Sequence, residues 1–277
     1  MHIVHTIAAL WQVLETAESI ALVPTMGNLH DGHLKLVETA REYADCVVVS
    51  IYVNPLQFGV NEDLARYPRT LEQDCQKLRE AGASVVFAPL DSEMYPSPQT
   101  MTLQPGPVAD ILCGASRPGH FSGVATVVLK LFNLVQPDVA VFGKKDYQQL
   151  LVIRQLVQQF NLPIQIVGVD TVRTATGLAM SSRNGYLSAA QLEAARQLYA
   201  ALQQLVRSVH AGEQDVALAQ QAALQSLSTQ GWQMDYVEVR RQQDLGVISA
   251  EDRALVVLAA GKLGSTRLID NIEFELA

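Results

Sequence analysis

Cys46-Val47-Val48-Val49-Ser50-Ile51-Tyr52-Val53 is apolar on alternate residues of both parities, broken only by Ser50. A strand with one wet face would alternate, so this run predicts a parallel strand covered on both faces. Its neighbours keep the same rhythm. Ile20–Val23 reads as a strand that Pro24 stops, and Leu34, Val37, Ala40 and Ala44 follow at helical spacing. Downstream, a helix from Thr70 (with Gln73 as a capping box) to Gly82 precedes a strand at Ser84–Ala88. Gly123–Val135 then reads as helix, Asp138–Phe142 as strand, Tyr147–Phe160 as helix and Ile164–Val169 as strand. Alternation of this kind predicts an α/β fold, a Rossmann-like parallel sheet wound with helices by right-handed crossovers. Ligands in such sheets sit beyond the carboxyl ends of the strands, so the loops after Val23, Val53 and Phe142 become the working edge.

The last third differs. Ser188 and Gln191 form another capping box before a helix reaching His210 and Gly212, and a second helix covers Val216–Ser228. Tyr236–Arg240, Ala254–Ala260 and Arg267–Glu273 are strand candidates spaced closely enough for antiparallel pairing. The chain therefore divides into a Rossmann-like unit, 1–171, and a smaller α+β unit, 172–277, with the boundary inside Thr171–Asn184.

Composition bounds the function. With 277 residues, 49% apolar and 17% charged, the chain can bury a core and is not disordered. Its net charge of −8 argues against nucleic-acid binding as its main task. No apolar run approaches the roughly 20 residues of a membrane helix, and Glu15 and Glu18 spoil a signal peptide. Cys46, Cys75 and Cys113 form no CxxC or zinc spacing, so a cytoplasmic protein with reduced thiols is expected.

Three segments carry chemistry. Met26-Gly27-Asn28-Leu29-His30-Asp31-Gly32-His33 joins a strand to a helix, where free N–H groups and the positive helix end meet an anion. His30 and His33 can face one ligand together, and Gly27 and Gly32 permit close backbone approach. A turn with two solvated histidines is the ordinary alternative. The His-x-Gly-His pattern points to nucleotide transfer by attack on an α-phosphorus, a signal shared by aminoacyl-tRNA synthetases and cytidylyltransferases. Met180-Ser181-Ser182-Arg183-Asn184 offers hydroxyls and a guanidinium for phosphate, or else caps a helix. Gly143-Lys144-Lys145-Asp146 closes a strand and opens a helix, with lysines for phosphate and an aspartate for a ribose hydroxyl, or an ordinary cap beside solvated lysines.

PTMGNLHDGH, SIYVNPLQF, DLARYPRT, GASRPGHFSGVATVVLKLFNLVQPD, FGKKDYQQL and GLAMSSRNGYLS occur in order between Pro24 and Ser188, and RLIDN follows at Arg267–Asn271. Together they resemble the pantothenate synthetase (pantoate–β-alanine ligase) family over nearly the whole chain. The resemblance implies an ATP-dependent condensation of (R)-pantoate with β-alanine through a pantoyl adenylate, releasing AMP and pyrophosphate. Met26–His33, Gly143–Asp146, Val172 and Met180–Arg183 would bind ATP, with His33, His30, Lys145 and Arg183 catalytic. Gln57 and Gln149 would hold pantoate, and Gln57 β-alanine too. Asn54, Tyr67 and Arg117 are further candidates, each with a packing, turn or ion-pair role as alternative; His120 reads as structural. Mg²⁺ is expected with ATP; Asp74 is the candidate contact, with a solvated helix aspartate the favoured alternative, and a homodimer is expected by resemblance. Lys144 stands where the family commonly has Glu, and Thr174-Ala175-Thr176-Gly177 stands where the family commonly carries an acidic residue before the glycine. A nucleotidyltransferase that stops at the NMP-linked product and a nucleotide-binding regulatory protein remain the alternatives.

Overall fold

A computed structural model describes residues 1–60, 62–212 and 215–276. In chain order the first unit runs β1 (His2–Val4), α1 (Ile7–Leu14), β2 (Ile20–Thr25), α2 (Asp31–Ala40), β3 (Cys46–Ile51), α3 (Leu71–Ala81), β4 (Val85–Phe87), α4 (Asp91–Met94), α5 (Cys113–Ser116), α6 (His120–Val135), β5 (Val139–Gly143), α7 (Tyr147–Gln159) and β6 (Gln165–Val169). The second has α8 (Ala189–His210), α9 (Val216–Thr229), β7 (Trp232–Arg241), β8 (Ala254–Leu263) and β9 (Thr266–Glu275).

The first six strands form one parallel sheet in the order β1-β4-β3-β2-β5-β6. Its apolar runs have the predicted cause. Leu22, Val48, Val85, Phe87, Ala140 and Phe142 face a core with α1, α6 and α7, while Ala21, Val23, Val47, Val49, Val86, Val139 and Val141 face α2 and α3. The direction of strand addition reverses between β2 and β5, which opens a crevice at their carboxyl ends. The loop after β2 and the loop after β5 therefore confront each other.

Two expectations need correction. Pro24 does not stop β2, which continues to Thr25 in register with β3, Pro24 opposite Ser50 and Thr25 opposite Ile51. Pairing with β5 ends at Leu22, so Pro24 sits where one side of the strand is free, a position that tolerates a missing N–H. Thr70 precedes α3 but does not cap it; its hydroxyl donates to Asp74 instead. The strand β1 and helix α1, unforeseen, complete one edge of the sheet.

The antiparallel sheet β7-β8-β9 packs against α8 and α9. A further apolar cluster joins the units, with Phe121 and Leu151 meeting Tyr236, Val256 and Leu258. The second unit is thereby seated beside the crevice. None of the helices is long and apolar enough to cross a membrane among the described residues.

Candidate active site

The loop after β2 is held from behind. Gly27 has φ +80°, and a Cβ there would stand 3.0 Å from Ile51 Cγ2 and 3.1 Å from Asp74 Oδ2, so glycine is required on both conformation and space. Asp74, on α3 and 1% exposed, accepts from the backbone N–H of Asn28 and of Leu29, each at 2.8 Å, and from the Thr70 hydroxyl at 3.1 Å. Lys77, one turn on, donates to the Leu29 carbonyl at 2.6 Å. Asp74 is absent from the lining of the cleft. Its expected metal contact is thus corrected to a structural task, because both carboxylate oxygens are engaged by the loop. Among the described residues no group of three or more His, Cys, Asp or Glu is arranged to hold a metal.

His30 caps α2, its Nδ1 accepting from Gly32 N–H at 3.1 Å; His33 Nδ1 accepts from His30 N–H at 3.3 Å. The rings lie 4.1 Å apart between centroids. With Nδ1 an acceptor in each, Nε2 carries the proton and is left to donate. Burial, with the nearby Lys145 charge, lowers the His30 pKa to about 4, and burial with its neighbour His30 lowers that of His33 to about 3. Both are neutral donors at ordinary pH.

Across the crevice, Gly143, Lys145 and Asp146 line the same cleft, as do Asp170, Thr171 and Val172. Lys145 Nζ lies 3.4 Å from Asp146. Lys144 points elsewhere: its Nζ bridges Asp170 and Glu273, each at 2.8 Å, and it does not line the cleft. The extra lysine is an ion-pair link to β9 rather than a phosphate ligand.

The third segment, Met180–Arg183, closes the rim. Ser182 Oγ donates to the Asn28 carbonyl at 3.0 Å and Asn28 Nδ2 returns to the Ser182 carbonyl at 3.4 Å, lacing this loop to the histidine loop. Arg183 donates through Nε and Nη2 to Asp63, at 3.1 and 2.9 Å.

Deeper in, the cleft changes character. Val124, Val127, Val128 and Leu131 of α6, with Phe142 of β5, make an apolar floor beside Gln57, Gln149, Tyr52, Asn54 and Tyr67. Gln57 Nε2 lies 3.1 Å from Met26 Sδ, and its Oε1 accepts from Asn54 Nδ2 at 3.1 Å. Asn54 is 1% exposed and saturated, since Nδ2 also donates to the Gly123 carbonyl and Oδ1 accepts from Tyr95 and Leu56. It caps the turn that carries Gln57. Gly123 makes that turn possible: a Cβ there would lie 2.2 Å from the Leu56 carbonyl oxygen. An isolated glycine in a helix marks such an approach, the one sequence signal for it. Arg117 stays outside this cleft, paired at 2.6 Å with both Glu62 oxygens. His120, between Arg117 and the Gln57 carbonyl, is held at 2.9 and 2.8 Å. Glu62, Asp63, Lys77 and Tyr95 were not among the expected residues, and their spacing in sequence gives no hint of these long-range partners.

One cleft thus joins a group of imidazole, ammonium and guanidinium donors to an apolar, amide-lined recess. The family model for pantoate-beta-alanine ligase matches residues 2–273. The chain belongs to the pantoate–β-alanine ligase family. It is 56% identical over 276 residues to the pantothenate synthetase of Methylobacillus flagellatus, covering 100% of this chain and 99% of that one. Identity to the Thiobacillus denitrificans pantothenate synthetase is 58% over 274 residues, 99% and 97% of the two chains. Among solved structures, a pantothenate synthetase from Thermus thermophilus superposes with a TM-score of 0.94 at 46% identity over 98% and 99% of the chains. The Francisella tularensis ligase, complexed with β,γ-ATP and β-alanine, gives 0.84 at 34% identity over 98% and 97%. The parallel sheet with its smaller α+β unit is the family's architecture.

Proposed function

We propose that this chain condenses pantoate with β-alanine, driven by ATP. The observation that carries the reading is the continuity of the apolar, glutamine-lined recess with the group of His30, His33, Lys145 and Arg183. Pantoate presents a carboxylate, hydroxyls and geminal methyl groups. The methyls suit Val127, Val128 and Leu131, and the amides of Gln57 and Gln149 can both donate and accept toward the oxygens.

The pantoate carboxylate oxygen attacks the α-phosphorus of ATP, forming a P–O bond while the bond to pyrophosphate breaks. Negative charge gathers on phosphate oxygens, where neutral Nε2–H donors of His30 and His33 and the cations of Lys145 and Arg183 stabilise it. The nitrogen of β-alanine then attacks the acyl carbon of the adenylate, AMP leaves, and the amine gives up its proton. Asp146 would receive the ribose, Val172 the adenine through its backbone, and Met180–Arg183 the phosphates. Gln57 would receive β-alanine as well. Mg²⁺ would enter with the triphosphate as part of the substrate. A homodimer acting in the cytoplasm belongs to the same reading.

The test is AMP release with ATP, Mg²⁺, pantoate and β-alanine, each omitted in turn. Multiple-turnover AMP formation requiring both organic substrates is expected. Pantoate-dependent pyrophosphate release with no β-alanine-dependent AMP would instead support an enzyme that ends at the adenylate.

A further inference from the structure

The sequence pattern RLIDN belongs to β9, in the second unit, and none of its residues was assigned a part in the chemistry. Asn271 is buried at 6% exposure, and its Nδ2 donates to the carbonyls of Lys144 at 3.0 Å and Lys145 at 2.9 Å. Both protons of one amide are therefore engaged by two successive peptide units of the loop that carries Lys145 and Asp146. Asp270, at 3% exposure, accepts from Arg173 Nη1 at 2.7 Å and Nη2 at 2.9 Å, and from Asn271 N–H at 2.8 Å. Arg173 donates onward to the carbonyls of Gly177 and Asn271, and stacks 3.7 Å from the Tyr199 ring centroid. It thus fastens the small hairpin whose ends are Val172 and Met180, joined by Met180 N–H to the Val172 carbonyl at 3.0 Å. Lys144 adds the bridge to Glu273 two residues beyond Asn271.

We propose that Asn271 and Asp270 are positioning residues for nucleotide binding, Asn271 setting the backbone from which Lys145 reaches phosphate and Asp270 the hairpin that leads into Met180–Arg183. Two adjacent side chains of one strand thereby fix two segments that are separate in sequence and meet at one ligand. A carbonyl pair is a poor neighbour for a phosphate. Turning both carbonyls toward Asn271 points them away from the cleft and leaves the lysine side to face it. The assignment rests on reading residues 143–146 as part of the ATP site.

The experiment is a double-mutant cycle on the full-length chain, reading the dissociation constant of a non-hydrolysable ATP analogue with Mg²⁺ by calorimetry, with pantoate KM measured alongside. Asn271→Ala is expected to weaken the analogue about tenfold and leave pantoate KM within about twofold. In a Lys145→Ala background the same change should do little more, because coupled residues are non-additive. Additive effects, or equal loss for ATP and pantoate, would show Asn271 to be a general packing residue and overturn the proposal. If the alanine variant does not fold, Asn271→Asp, which keeps the shape and removes the donors, goes through the same cycle with the same outcomes decisive. Asp270→Asn tests the other arm: weaker analogue binding that persists undiminished in Lys145→Ala is expected, and unchanged binding rejects it. An analogue affinity unmoved by Lys145→Ala alone would instead refute the assignment of the nucleotide site.

Discussion

The loop of residues 26–33 and the loop of residues 180–183 present donors to the same cleft, but they are held by different means. The first is fixed through its backbone by a buried aspartate and by Lys77, and its histidines are aimed by backbone contacts. The second is laced to the first through Ser182 and Asn28, but its guanidinium is held by a side-chain ion pair between Arg183 and Asp63, both partly exposed. Backbone bonds anchored on a buried carboxylate are costly to leave unmade, whereas a partly exposed ion pair is worth little and can change partner. The contrast assigns preorganisation to the first loop and exchange to the second. Catalytic donors gain most from being fixed before charge develops, whereas a closing loop has to surrender one partner to gain another.

The largest break in that contrast is His33→Ala. Loss of one preorganised donor should cut turnover by at least about a hundredfold. The check is steady-state AMP release at saturating substrates. A near-normal rate would falsify the assignment of His33 as a transition-state donor.

Asp74→Ala attacks the same loop from behind without touching the cleft. Two backbone N–H groups lose their acceptor, for a stability loss of about 2–4 kcal/mol. Turnover should fall as well, because the histidines ride on that backbone. Urea denaturation and AMP release measure the two effects. If stability drops while the rate holds, the loop does not need Asp74 to stay in place.

Protonation loosens the rigid side in a graded way. Burial holds His30 near 4, His33 near 3 and His120 near 4, against 6.5 in the unfolded chain. As pH falls below 6.5 the unfolded chain takes up protons that the folded one refuses, so stability declines from there to about pH 3, where His33 too is protonated in the fold. The contribution is fully present above 6.5. A denaturation midpoint lower at pH 5 than at pH 7 is expected; an unchanged midpoint means these imidazoles are not neutral in the fold.

The same division separates what the sequence made legible from what it hid. The run Cys46–Ile51 announced a sheet buried on both faces because hydrophobic pattern is local. His30, His33, Lys145 and Arg183 do line one cleft; the first three stood out because strand-to-helix loops at the sheet's carboxyl edge gather donors by topology, and Arg183 because a guanidinium beside two serines suits an anion. Lys144 was misread because its neighbours Asp170 and Glu273 lie on β6's end and on β9, and composition around residue 144 gives no sign of either. Asp74 was misread for a related reason. A carboxylate on an amphipathic helix looks the same whether it meets water, a cation or two backbone N–H groups from a loop forty-odd residues away. Side-chain roles set by long-range partners are the part that spacing does not encode.

The smallest effect expected is also the one that tests exchange most directly. Burial works against the Asp63 charge, yet the Arg183 guanidinium outweighs it and holds the carboxyl below its usual range. If Arg183 receives phosphate as proposed, Asp63 is a resident anion that the phosphate would have to displace. Asp63→Asn keeps the size and removes the charge, leaving Arg183 with a weaker partner. A partly exposed pair of this kind is worth about 0.5–1 kcal/mol, so ATP KM should fall two- to fivefold, roughly, with the gain shrinking as salt is raised. Turnover should change less than KM, because the competition is for binding. A raised KM would mean that Asp63 aims the guanidinium rather than competing for it, and the second loop would then be as preorganised as the first.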